Sequence, residues 1–329
     1  MSDESAEDRR EFGLGLGEVR YEPQTSRAAL RWYVAAVAVF PFALIAFSFY
    51  WMTTAEYMHH SRSVYLSQIG YGAKLQGVDC DVVIDGDSTA MVDILPKVIT
   101  ARTGLSACNI AEVAGVKRIT GMALLDTYLQ HNRRPKYLVF QFAPENLSDP
   151  ARWEWGGMFE GVLFGLQFGH KADVMRSVLR YPAASLVNAE LGFRSGLTWH
   201  LTHSPPAAEM HSRDAQLGRM PEEGSPLTEC DATDARKLSP QAEWLTKLRE
   251  TYGRNGTQVL IDVVPQPICD PAVEYYRREL TPALIDNSVS TLPVGLFLGT
   301  GRLHMTDAGA AVVSERVAAQ ILQAEKGGR

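Results

Sequence analysis

Residues 81–91 read Asp-Val-Val-Ile-Asp-Gly-Asp-Ser-Thr-Ala-Met. The branched apolar run has the character of a short buried strand. Gly86-Asp87-Ser88 then turns the chain into an amphipathic stretch that predicts a helix to roughly Arg102. The same alternation continues downstream. Leu105 to Ile110 reads as a second strand, and Lys117 to His131 as a helix with Ile119, Met122, Leu124, Leu125 and Leu129 on its apolar side. Lys136 to Ala143 is a third strand, Gln241 to Tyr252 a helix, Gln258 to Pro265 a fourth strand, and Thr306 to Leu322 a final helix. Short apolar strands separated by helices predict an α/β domain: a parallel sheet with helices on both faces, in three layers.

Upstream, the character changes. From Trp32 to Ala55 there is no Asp, Glu, Lys or Arg. About 20 apolar residues suffice to cross a bilayer as a helix. Trp32, Tyr33, Tyr50 and Trp51 stand at the two ends, where amphipathic rings favour the headgroup level. Pro41 is a tolerated kink. Arg20, Arg27 and Arg31 precede the span while only Arg62 follows closely, which puts the N-terminus in the cytoplasm and the rest outside. With no small-residue cleavage site, the span reads as an uncleaved signal anchor. The expected organisation is a cytoplasmic tail (1–31), a transmembrane anchor (32–55), a connector (56–79) and an extracytoplasmic domain (80–329). That domain carries an aromatic-rich, then Pro/Glu/Ser-containing insertion at about 150–238.

A net charge of −6 and a pI near 5.8 exclude nucleic acid as the main partner, since phosphate neutralisation needs surplus Lys and Arg. Cys80, Cys108, Cys230 and Cys269 all follow the span, in a compartment where disulfides persist. Four cysteines allow three connectivities. Cys80–Cys108 is expected because both flank candidate neighbouring strands, with Cys230–Cys269 by default; separate buried thiols are the alternative. His200, His203 and His211 lie in a Pro-broken segment with no Cys or carboxylate at a familiar ligand spacing, so neither metal nor other cofactor is expected.

The chemistry concentrates in two places. A Ser directly after a buried strand and before a helix sits at the carboxyl edge of the sheet, where open α/β folds bind ligands. Its own amide is placed to donate to a developing oxyanion. Far downstream, Gly301-Arg-Leu-His-Met-Thr-Asp-Ala-Gly309 opens the last helix. His304 is suited to take the proton that makes Ser88 a nucleophile. Asp87, beside the Ser, is expected to hold the turn.

A Gly-Asp-Ser block near the domain start paired with His-x-x-x-x-Gly near its end resembles the SGNH/GDSL superfamily. The single-span layout is similar to its membrane-anchored members of polysaccharide O-acetylation and teichoic-acid D-alanylation. The resemblance covers about 78–325 without the insertion. It implies Ser88 as nucleophile, His304 as base, and an oxyanion hole from the amides of Ser88 and Gly115 and the side chain of Asn146, with Asn109 near the second block. The chain departs from the family where an Asp usually lies three residues before the His: that position is Gly301. A backbone carbonyl or another acid, Glu145 or Asp307 among them, would replace it, or the site is a Ser-His dyad. The implied activity is acyl transfer to an extracytoplasmic polysaccharide, with O-acetylation as the expected reaction. The acyl group would arrive from a multi-spanning membrane O-acyltransferase, with the chain anchored in a bacterial inner membrane and its domain in the periplasm. A glycan deacetylase or esterase, and a catalytically silent glycan-binding or scaffolding subunit, are the alternatives.

Overall fold

A computed structural model describes residues 26–59, 64–148, 179–180, 215–230, 240–299 and 303–327. The chain divides into two units after Phe47. The first helix, α1 (Arg27–Met52), runs through this division, and Trp32, Tyr33, Phe40, Phe42 and Phe47 on it are exposed. Among the described residues no helix is long and apolar enough to cross a membrane. The side chains of Pro41, Leu44, Ile45, Ala46, Ser48 and Phe49 on α1 lie outside that description.

The second unit is the α/β domain. Its strands β1 (Val82–Gly86), β2 (Ala107–Asn109), β3 (Tyr137–Phe142) and β4 (Gln258–Val263) form one parallel sheet in the order β2-β1-β3-β4. Successive side chains of a strand point to opposite faces, and here both faces are apolar. Val82, Ile84, Val139 and Leu260 face a core shared with helices α4 (Ser88–Asp93), α5 (Pro96–Thr103) and the C-terminal helix, Asp307–Gly327. Val83, Leu138, Phe140, Phe142 and Ile261 face a second core. It is built with Leu125 and Tyr128 of α7 (Ala123–His131), Trp244, Leu245 and Leu248 of α8 (Ala242–Tyr252), and Tyr276 of α9 (Val273–Glu279). The C-terminal helix is α10. A two-residue pair, β5 (Gln266–Pro267) with β6 (Thr291–Leu292), lies outside the main sheet.

Two helices expected as continuous are broken. The stretch from Ser88 to Thr103 splits at Ile94-Leu95, because Leu95 precedes Pro96 and is held extended (φ −96°, ψ 104°). The second splits into α6 (Ala114–Thr120) and α7 around Gly121, whose φ of 58° is left-handed. The expected connector, 56–79, is helical in part. It carries α2 (Ala55–His59) and α3 (Val64–Lys74), whose Tyr57, Met58, Leu66 and Ile69 are buried against Val116 and Leu124. His59 of α2 is buried as well.

Both expected disulfides form. Cys80 lies two residues before β1 and Cys108 within β2, with Cα atoms 6.1 Å apart. The Cys230–Cys269 pair is at 5.9 Å. Both separations fall within the ordinary range for a bridge.

Candidate active site

The strand order decides where a site can form. The chain leaves β1 through α4 and α5 to β2 on one side, then returns to β3 on the other side of β1. Connections diverging from neighbouring parallel strands open a crevice at their carboxyl ends. Ser88 is the second residue after β1, at that point.

The turn beneath Ser88 is fixed on all sides. Gly86 has φ 144°, and a methyl group there would overlap the Gln141 carbonyl oxygen, so only glycine fits. Asp87 caps α4. Its Oδ1 accepts from the Thr89 amide at 2.9 Å and the Thr89 hydroxyl at 2.7 Å. Its Oδ2 accepts from the Ala143 amide at 2.8 Å and from Asn146 Nδ2 at 2.6 Å. The carboxylate therefore ties the Ser88 turn to the end of β3. One floor below, the buried Asp85 carboxylate receives Lys117 Nζ at 2.7 and 2.8 Å, with Glu112 3.8 Å from the same ammonium. This pairing links the end of β1 to α6.

Ser88 and His304, 216 residues apart, meet: Oγ lies 2.8 Å from Nε2. The other ring nitrogen, Nδ1, contacts Glu222 Oε2. A carboxylate only accepts, so Nδ1 carries the proton and Nε2 is left to accept from the serine hydroxyl. Hydroxyl, imidazole and carboxylate are thus arranged in series, the geometry of a Ser-His-acid triad. The acid is neither of the two expected substitutes. Asp307 pairs with Arg219 at 2.6 Å, and Glu145 lies in the short 3₁₀ turn after β3 (Pro144–Asn146). Nothing local in the sequence marks Glu222: it lies in a polar loop between Pro221 and Glu223, 82 residues before its partner.

No protein-family profile, curated protein or solved structure matches this chain.

The remaining expected residues divide. Asn109 is buried and works on the frame, donating to the carbonyls of Ala90 (2.8 Å) and Ile94 (3.3 Å) and accepting from the Ala111 amide. Asn146 reaches the turn through Asp87, with one amide proton used in that bond. Gly115 lies in the first turn of α6, beyond β2 at the same sheet edge. Among the described residues no hydrogen bond joins it to Ser88. His200, His203 and His211 lie outside the described residues. Among those described, no group of three His, Cys, Asp or Glu side chains could hold a metal.

Asp93, the last residue of α4, is fully enclosed. Its Oδ1 accepts from the Met305 amide at 2.8 Å, which fixes the residue next to His304. Its Oδ2 has no hydrogen-bond partner among the described residues. Burial, then the neighbouring Asp87 and Glu222 charges, pushes its carboxyl well above the usual carboxylate range, against the pull of the Met305 amide and Arg219. The folded chain therefore keeps a proton that the unfolded chain releases near pH 3.8. Its contribution to stability is whole below that pH and is lost as pH rises toward the folded value. Asp93→Asn removes this titration. Denaturant melts should show the variant gaining on the wild type as pH rises from about 4 to neutrality; a constant difference would contradict the assignment.

Proposed function

We propose that the chain is a membrane-anchored, extracytoplasmic serine acyltransferase or esterase of the SGNH kind, acting through an acyl-Ser88 intermediate. Its task is O-acetylation of a cell-surface or exported polysaccharide. The observation that carries the reading is the 2.8 Å approach of Ser88 Oγ to His304 Nε2, with Glu222 on the far side of the ring. The Glu222 contact also weighs against a silent subunit, because the missing Asp at Gly301 has a replacement.

Ser88 Oγ attacks the acyl carbonyl while its proton passes to His304 Nε2. Glu222 stabilises the imidazolium that results. The oxyanion is received by the amides of Ser88 and Gly115 and the side chain of Asn146. Collapse expels the donor's alcohol, which leaves with the proton from His304. A sugar hydroxyl then gives its proton to His304 and attacks the acyl-serine, and as the acyl C–Oγ bond breaks His304 returns that proton to Ser88 Oγ. Water in place of the sugar makes the same cycle a hydrolysis.

Anchoring at 32–55 rests on the charge-free apolar run and on the exposed aromatic residues of α1. It keeps the domain beside a membrane where a multi-spanning partner can deliver the acyl group, in the periplasm if the arginine asymmetry sets orientation. Two disulfides accord with an oxidising compartment.

The test is a fluorophosphonate probe on the full chain in detergent, with digestion and mass spectrometry to locate the adduct. Labelling of Ser88 is expected. A wild type that stays unlabelled beside a reactive control enzyme defeats the enzymatic reading and leaves the scaffolding one. Competition between water and a glycan acceptor then separates the two activities: free acid as the product at every glycan concentration excludes transfer.

A further inference from the structure

We infer that Arg219 is a positioning residue, the group that sets Glu222 against His304; the inference rests on the proposed reading for its effect on rate, though not for the contact itself. The loop carrying the acid, 215–230, is separate in sequence from both the nucleophile block and the histidine block. It needs a device that places it to within a few tenths of an ångström, because hydrogen-bonded catalytic groups lose function when displaced by about 1 Å.

Arg219 has the right connections. Its side chain is 4% exposed. Nε donates to the Val92 carbonyl at 2.8 Å, near the end of the helix that begins with Ser88. Nη2 donates to Asp307 Oδ1 at 2.6 Å, on the first turn of the helix that follows His304. Nη1 donates to Gln216 Oε1 at 3.0 Å, within its own loop. One planar fork therefore joins the serine segment, the histidine segment and the acid segment, a geometry that a lysine ammonium on a flexible stem does not reproduce.

The backbone nearby completes the placement. Gly218 has φ 99°, and a methyl group there would overlap the Asn109 carbonyl oxygen, so the loop passes tight against the end of β2. Leu217 accepts from the Asn109 amide at 2.9 Å, and the Met220 amide donates to the Met91 carbonyl at 3.2 Å. Pro221 has its φ fixed by its ring, so little freedom remains between Met220 and Glu222. Beyond Glu222 a second anchorage pairs Leu227 with Phe297 (2.7 Å) and Gly299 with Ser225 (2.9 Å). The competing account is that this second anchorage alone places the acid and Arg219 only adds stability.

The experiment uses the full chain in detergent and two readouts. The first is the proton on His304 Nδ1, which gives a far-downfield NMR resonance when bonded to a carboxylate. It should be present in the wild type, absent in Glu222→Gln, and lost or severely weakened in Arg219→Ala. The second is the rate of Ser88 labelling. Arg219→Ala should slow it about 30-fold in the wild-type background and less than about 3-fold once Glu222 is Gln, since two groups acting through one contact are not additive. If Arg219→Ala fails to fold, Arg219→Lys keeps the charge and one bond but not the fork, and the same two results are expected in weaker form. A resonance as strong as the wild type's in either folded variant, its absence from the wild type, or additive rate effects would overturn the inference. An Arg219-dependent resonance in a protein whose Ser88 is never labelled would uphold it while removing the proposed function.

Discussion

Replacing His304 with Ala is expected to slow acylation of Ser88 about 10⁶-fold, the scale on which a serine enzyme depends on its base. A serine hydroxyl is a weak nucleophile near neutral pH, and at 2.8 Å the imidazole is placed to take its proton as the bond to carbon forms. The variant should fold, because His304 is part-buried and its ring contributes little to either apolar core. The backbone carbonyl of residue 304, which accepts from the Leu298 amide, is unaffected by the change. Burst kinetics with an activated acyl ester, alongside a thermal melt, separate the two effects. A variant that melts like the wild type and still acylates within about tenfold of it removes the imidazole from the mechanism.

Glu222→Gln is expected to lower turnover about 10⁴-fold while leaving folding nearly intact. The amide of Gln keeps the shape but can donate to Nδ1. That bond favours the tautomer with its proton on Nε2, which cannot accept from Ser88. It also withdraws the negative charge that steadies the imidazolium. The side chain is 32% exposed, so the substitution leaves no buried group stranded. Steady-state turnover on an acyl ester checks this directly. A loss below about tenfold would mean that the Ser-His pair works as a dyad and that Glu222 is a bystander.

The parts of this fold that could be read from the sequence are those whose physics is local. Val82-Val-Ile84 and Tyr137 to Phe142 are apolar on both faces, which only a covered parallel strand can accommodate, and each strand lies within a few residues of its expectation. Ser88 and His304 were legible because each stands at a junction between a strand or turn and a helix. Two breaks were visible in principle. Pro96 and Gly121 both interrupt a helical pattern, but the apolar spacing ran across them and prevailed. The helices of the connector are not legible in the sequence because α2 and α3 are short and draw their stability from tertiary burial of Tyr57, Met58, Leu66 and Ile69 rather than from a long amphipathic stripe. Glu222 was beyond reach for a different reason. A carboxylate in a Pro- and Glu-containing loop has no periodicity, and its meaning comes from a partner brought near by the whole domain. Arg219 is the same case: its three acceptors, Val92, Gln216 and Asp307, are scattered along more than half the chain.

Mounting the hydroxyl on the central sheet and the carboxylate on a border loop divides rigidity from adjustability. The floor is locked by Gly86, Asp87 and the Lys117–Asp85 pair, so it tolerates little change. The border piece meets the floor through a handful of polar bonds and is stapled at its far end by Cys230–Cys269. On the proposed reading, exchange of residues there would retune turnover, or switch it off, without rebuilding the domain.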